Sequence, residues 1–248
     1  DETVVKVDID VNVVDNEETI ISNVSPIEDE HPKQGERPPH NEIWYTSTDG
    51  EVVKPNSAFF ASTKKFGAKI ISNTYQDGKG IIKLDGSVTI IGERAFNDLE
   101  RLKTVIIPDS VTTIENGAFS FSKNIVDVVI PNSVKTIDNN AFKNCESLQG
   151  VIIPPSVSEI GSYAFANCVN LIAVDAPNLK TDNVLTANKM FFNCKALEHI
   201  DLTKCNMQNA IDRSEMFYGC EKAKNIGLPK TKDVTTLKRA FSKIGTND

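Results

Sequence analysis

The sequence predicts a β-rich repeat solenoid of the α/β type, with short helical turns joining its strands and a β-hairpin unit capping its N-terminal end. Three observations carry this. The dipeptide Ala-Phe returns at Ala95-Phe96, Ala118-Phe119, Ala141-Phe142 and Ala164-Phe165, 23 residues apart each time. An alternating Val-x-Ile-Pro stretch accompanies each return, as at Val105, Ile107 and Pro108. Two hairpin-like stretches stand immediately before the first repeat.

The beat extends to other positions. Pro108, Pro131, Pro154 and Pro177 keep it, as do Val88, Val111, Val134, Val157 and Ile91, Ile114, Ile137, Ile160. Met190-Phe191 and Met216-Phe217 then replace Ala-Phe at intervals of 26 residues, and Ala240-Phe241 follows after 24. Six full repeats and a partial seventh therefore fill residues 88–248. The Val-x-Ile piece places two apolar side chains inward and one outward, and proline, lacking an N–H, ends the strand. The stretch around Asn116-Gly117-Ala118-Phe119 reads as a tight bend with a short helical turn. One such unit cannot bury its own apolar edge, so neighbours must stack and turn each apolar position into a ladder. The expected spine is Phe96, Phe119, Phe142, Phe165, Phe191, Phe217 and Phe241.

Cys145, Cys168, Cys194 and Cys220 each stand three residues after a spine Phe, where other repeats have Leu99, Ser122 and Ile244. A small, buried residue suits that place, and a free thiol is one. Metal ligation and disulfides are the alternatives. A ladder points its side chains in parallel, which favours neither convergent ligands nor the short Cβ separation a disulfide needs. Cys205 falls in a loop-like stretch and is the thiol expected to be exposed.

Four regions follow. Residues 1–21 form an acidic arm: residues 1–30 hold ten Asp or Glu and a single Lys. Within it Val5, Val7, Ile9, Val11 and Val13 alternate with polar residues, as in a half-buried strand. Asp8-x-Asp10-x-Asn12 begins like a calcium loop, but Val13 stands where the loop's glycine belongs. Residues 22–41, with Pro26, Pro32, Pro38 and Pro39, read as a linker. Residues 42–87 form the cap, with Asp49-Gly50 between Ile43-Trp44-Tyr45 and Val52-Val53, and Asp77-Gly78 between Ile70-Ile71 and Ile81-Ile82. Residues 88–248 are the solenoid.

The net charge of −7 argues against nucleic acid, which calls for a basic face. No apolar run is long enough for a transmembrane helix. No signal peptide begins at Asp1, which leaves a cytoplasmic chain and a chain with its leader removed as two readings. Nucleophile, phosphate-loop, dinucleotide and zinc motifs are missing, and no cofactor is expected. His199 beside Asp175 and Asp201 is the nearest approach to a catalytic group, and a surface histidine among acids is the plainer account.

The run Ile130-Pro131, Ser133-Val134, Ile137, Ala141-Phe142, Cys145 and Leu148 resembles the BspA-type leucine-rich repeat, and the likeness covers about 200 of the 248 residues. The cap segment from Asn41 to Gly86 is also similar to the piece preceding such repeats in gut bacterial members. The resemblance implies a secreted or lipid-anchored surface protein of host-associated bacteria, located outside the cell, with any lipid anchor upstream of Asp1. It implies adhesin-like binding of host or neighbouring-cell macromolecules, protein or glycan, and it carries no catalytic residues. A spacer in a surface or polysaccharide-handling complex is the other reading. The repeats of 26 residues depart from the family pattern around Asn178–Asn188 and Cys205–Ser214.

The outward strand residues give the candidate site. Down the stack they are Ile106, Val129, Ile152, Asp175 and Asp201, with His199 two residues before Asp201. Three exposed β-branched residues in a row make an apolar stripe, a feature of interaction sites. Against this, strand formers are common on any sheet face, and the N-terminal arm could cover the stripe. Counting thiols in denaturant tests the cysteine reading: all five are expected to react, and fewer than four would overturn it.

Overall fold

Each coil of the repeat presents three stretches of backbone to the next coil, and the fold is the sum of the three ladders they make. The computed structural model describes residues 36–56, 65–176, 188–202 and 215–227. Strands β1 (Glu42–Ser47), β2 (Ile70–Gln76) and β3 (Lys79–Leu84) precede the repeats. Four coils then each give a two-residue strand and a longer one: β4 (Ile90–Ile91) with β5 (Leu102–Ile106), β6 (Thr113–Ile114) with β7 (Asp127–Val129), β8 (Thr136–Ile137) with β9 (Gly150–Ile152), and β10 (Glu159–Ile160) with β11 (Ala173–Asp175). The next two coils supply β12 (His199–Asp201) and β13 (Asn225–Gly227). The N-terminal arm, most of the linker, Cys205, Phe241 and the two irregular loops lie outside the described residues.

The first ladder is the parallel sheet β4-β6-β8-β10. The second comprises the longer strands, parallel in β5-β7 and in β9-β11-β12-β13. Its hydrogen bonding is interrupted between β7 and β9, although these two strands remain neighbours. Pro108, Pro131 and Pro154 end these strands, and their carbonyls accept from Val111, Val134 and Val157 to turn the chain.

The third ladder is made of turns, and it is the form taken by the expected helical segment. Around Ala118-Phe119 the N–H of Ala118 donates to Glu115 and that of Ser120 to Gly117. The alternate N–H groups of Gly117, Phe119 and Phe121 donate instead to Asn139, Ala141 and Lys143 of the next coil. A helix cannot continue here because each turn carries two left-handed residues four apart, such as Asn140 and Asn144 at φ 56° and 60°. Among the described residues there is no helix. Most left-handed positions hold Gly, Asn or Asp; Arg94, Phe121, Tyr163, Lys189 and Glu215 are the exceptions within the repeats, and the aromatic pair, Phe121 at φ 64° and Tyr163 at φ 60°, each bears a cost of about 1–2 kcal/mol.

Inside the ladders the spine forms as expected. Phe96, Phe119, Phe142, Phe165, Phe191 and Phe217 are fully buried and stack with centroids 5.1–5.6 Å apart and planes within 10°. Each aromatic pair adds about 0.5–1.5 kcal/mol beyond its buried area. Ala95, Ala118, Ala141 and Ala164 let the coils approach beside the rings.

The cysteine position is more demanding than size alone. Cys145, Cys168, Cys194 and Cys220 are buried free thiols. Each donates to the carbonyl of the preceding coil's spine residue: Phe119, Phe142, Phe165 and Phe191, with Sγ···O of 3.1–3.2 Å. Ser122 does the same to Phe96. Leu99 belongs to the first coil, where no earlier spine carbonyl needs a donor. Burial pushes all four thiols up, Cys168 and Cys220 to about 12, so they stay protonated donors and poor nucleophiles.

The residues before the first repeat finish all three ladders. Strand β1 lies antiparallel on β5, with Trp44 opposite Ile106 and Tyr45 opposite Val105. Its other edge pairs with β3, which forms a hairpin with β2. The turn is Asp77-Gly78, both left-handed, as a two-residue hairpin requires. The other expected hairpin does not form: both edges of β1 are taken, and Val52-Val53 is not a strand but runs past Tyr45, whose hydroxyl accepts the Val53 N–H. At the short-strand ladder the carbonyls of Phe66 and Lys65 accept from Thr89 and Gly92. At the turn ladder Asn56 donates from its backbone to Ala95 and from its amide to Arg94 and Asn97. Phe66 closes the spine, its ring tilted on Phe96 at 5.7 Å. The end of the stretch read as linker is engaged too: the His40 carbonyl accepts from Val88.

The donor requirement is testable. Cys145→Ser keeps a donor and is expected to change unfolding free energy by less than about 1 kcal/mol, whereas Cys145→Ala, losing donor and volume together, should cost about 2 kcal/mol. Equal losses in denaturant melts would show that volume alone matters.

Candidate functional site

The outward side of the longer-strand ladder is set by strand alternation. In β5, β7 and β9 the inward residues are Val105, Val128 and Val151, so Ile106, Val129 and Ile152 point the other way. The pairing runs Ile81, Trp44, Ile106, Val129 across β3, β1, β5 and β7. It resumes as Ile152 and Asp175 across β9 and β11. Val174 pairs with Ile200, which sets Asp175 beside Asp201, and Asp201 pairs with Gly227.

Sequence alternation identifies this row, but its exposure differs from expectation at one end. Ile106 is only 6% exposed. It lies between Val129 on one side and Trp44 of β1 on the other, and an outward residue with large neighbours on both flanking strands loses its solvent. Val129 is half-buried, and Ile152 is 54% exposed. The accessible apolar ground is therefore Val129 and Ile152, with the Trp44 edge beyond Ile106. The Trp44 indole donates to Glu42 at 2.8 Å, and Lys79 Nζ lies over its ring. Trp44 belongs to this face, and the sequence signal for it was weak because β1 pairs with β5 across more than fifty intervening residues.

The other end is acidic. Asp175 is half-buried and Asp201 exposed. Burial, and secondarily the Asp201 carboxylate, raise the Asp175 carboxyl above the usual aspartate range. His199 lies one row away, in register with Ala173 and Asn225, and its Nε2 is 3.8 Å from a Glu198 carboxylate oxygen. Next to Ile152 and Asp175 on the same side stand Gly150 and Ala173, so the row rises from a low floor. The arrangement offers an apolar ridge, a floor of small residues and a negative end on a rigid sheet. It can bind a surface. Among the described residues no group of three or more His, Cys, Asp or Glu is placed to hold a metal, and no helix is long and apolar enough to cross a membrane.

The sequence profile of the BspA type Leucine rich repeat region matches residues 69–198 and 178–246, in six copies. Among solved structures, a leucine-rich repeat protein from T. pallidum is similar at 25% identity and TM-score 0.53, over 66% of this chain and 81% of that one. A leucine-rich repeat protein from Bacteroides ovatus is similar at 22% identity and TM-score 0.43, over 72% of this chain and 52% of its own. Comparison with curated proteins gives no match.

The raised Asp175 pKa sets a pH dependence. The folded chain holds this proton more tightly than the unfolded one, so folded stability falls as pH rises through the elevated pKa. Asp175→Asn removes that loss. Its melting temperature should exceed the parent's near about pH 7, and the difference should vanish near about pH 3, below the unfolded-chain value. A variant that melts lower at neutral pH would contradict the assignment.

Proposed function

The chain belongs to the BspA-type leucine-rich-repeat family, and from that premise we propose that it is a non-catalytic interaction module of a bacterial cell surface, gripping a macromolecule of a host or a neighbouring cell through the outward face of its longer strands. The observation that carries this reading is the graded row Val129, Ile152, Asp175, Asp201, where apolar side chains, half-buried at Val129 and exposed at Ile152, pass into adjacent acids. Such a ridge is stabilising only when covered, since exposed β-branched side chains gain nothing from water. The acids at one end give a partner direction and register. A basic segment beside an apolar one fits the row end to end.

Backbone bonded from coil to coil holds the row on each side of the break between β7 and β9, so little ordering is needed on binding. A display spacer with no dedicated ligand is the competing reading, and the exposure of Ile152 speaks against it.

The test is a protein array of extracellular-matrix and plasma components, followed by titration of any hit with the double variant Val129→Ser, Ile152→Ser. Affinity is expected to fall about tenfold or more with the melting temperature nearly unchanged. A variant that binds a confirmed partner as tightly as the parent would move the site elsewhere. An array with no hit at all would favour the spacer.

A further inference from the structure

One residue departs from the residue types that fill its place in the other coils. Two places after each spine Phe the backbone is left-handed, and five of the described coils put Asp98, Asn144, Asn167, Asn193 and Gly219 there. These types tolerate positive φ. Three of them also pass an amide bond along the stack: Asn193 donates to Asn167 at 3.1 Å and Asn167 to Asn144 at 2.7 Å. The second coil has Phe121 instead. Its ring suits the left-handed backbone poorly, it offers no acceptor to continue the amide chain from Asn144, and it is 43% exposed outside the core cluster. A strained backbone and a broken amide chain at one exposed position, outside the core cluster, point to a role outside the fold.

The ground beside the ring supports a particular ligand chemistry. A shallow depression lies beside Phe121, with Arg94, Asn116, Gly117, Asn140 and Lys143 among its lining residues and the Asp98 carboxylate as a further acceptor. It exists because Gly117 stands where the neighbouring coils carry Arg94 and Asn140. A side chain at Gly117 would meet both a φ of 62° and Ser120 Oγ only 3.0 Å from its Cβ. Asn140 donates to Asn116 Oδ1 at 3.3 Å, leaving Asn116 Nδ2 and Asn140 Oδ1 without partners among the described residues. Arg94 contributes a fork of donors. Lys143 Nζ is held 5.0 Å from the centre of the Tyr163 ring, with hydrogens to spare.

An aromatic face beside paired amide donors and acceptors matches a pyranose ring, whose C–H face lies on the π-cloud while its hydroxyls take the amides and cations. A protein partner would call for a wider apolar area, and here Phe121 is the single aromatic or aliphatic side chain among the nine lining residues. We propose that this depression is a carbohydrate-binding subsite, with Phe121 as its stacking platform, on the turn ladder and separate from the sheet face.

The test uses the full chain on an array of oligosaccharides containing neutral hexoses, N-acetylhexosamines and uronates, with calorimetric titration of the strongest binder. Phe121→Asn is expected to lower affinity about tenfold or more. It should also raise the melting temperature by about 2–4 °C, because Asn fits the left-handed backbone and extends the amide chain. The double variant Val129→Ser, Ile152→Ser should leave sugar affinity unchanged, which separates this site from the sheet-face reading. The proposal is overturned if the parent retains no oligosaccharide, if Phe121→Asn binds as the parent does or melts lower, or if the sheet-face variant loses the sugar.

Discussion

A coil of this repeat has no inside of its own. It is too short to wrap a core, and three stretches of its backbone carry N–H and C=O groups that its own turn leaves unpaired. The neighbouring coil must supply both the apolar cover and the hydrogen-bond partners. That requirement fixes the spacing of the stack, and the spacing then dictates side chains. Rings repeated in one register at a separation of 5.1–5.6 Å lie nearly parallel, and the spine repeats Phe without variation through the described coils. A thiol or hydroxyl three residues later reaches back to the carbonyl of the coil before. Asn at the left-handed place passes its amide bond along. Where side chains vary freely, they face solvent, and those are the positions left for recognition.

A stack that passes its bonds forward must also begin somewhere, and the residues before the first repeat serve as an imitation coil. Each of the three ladders finds its own terminator: β1 on the longer strands, Lys65 and Phe66 on the short ones, Asn56 on the turns. The change from parallel to antiparallel pairing at β1 lets the sheet end in a hairpin, with β2 as its edge strand. This cap reshapes the candidate surface as well. By laying Trp44 beside Ile106 it buries one end of the apolar row, and it leaves Ile152, three strands away from β1, as the most exposed member.

The two outward faces differ in what they can hold. The strand face is a ridge of β-branched side chains ending in carboxylates, over a floor of Gly150 and Ala173. The turn face is rich in amides, with aromatic and cationic side chains interleaved: Lys189 lies near the rings of Tyr163 and Phe192, and Phe192 stacks on Tyr218. The same coil geometry rigidifies both faces, so each presents its groups without ordering cost. The two proposed recognition surfaces thus lie on different ladders, with no side chain shared.

The sequence by itself determined the period, the Phe spine, the burial of the four cysteines and the outward row from Ile106 to Asp201, because each depends on a residue's place within its own coil and the beat of 23 repeats that place. Tertiary structure alone decided what depends on a neighbour. The cysteines' role as donors needs a carbonyl from the preceding coil. The left-handed pairs that replace a helical turn follow from backbone bonding across coils. The burial of Ile106, and the use of Asn56, Phe66 and β1 as terminators, join non-repeating residues to repeating ones. Periodicity says nothing about such junctions, because a contact between a repeat and a segment that does not repeat leaves no recurring pattern to read.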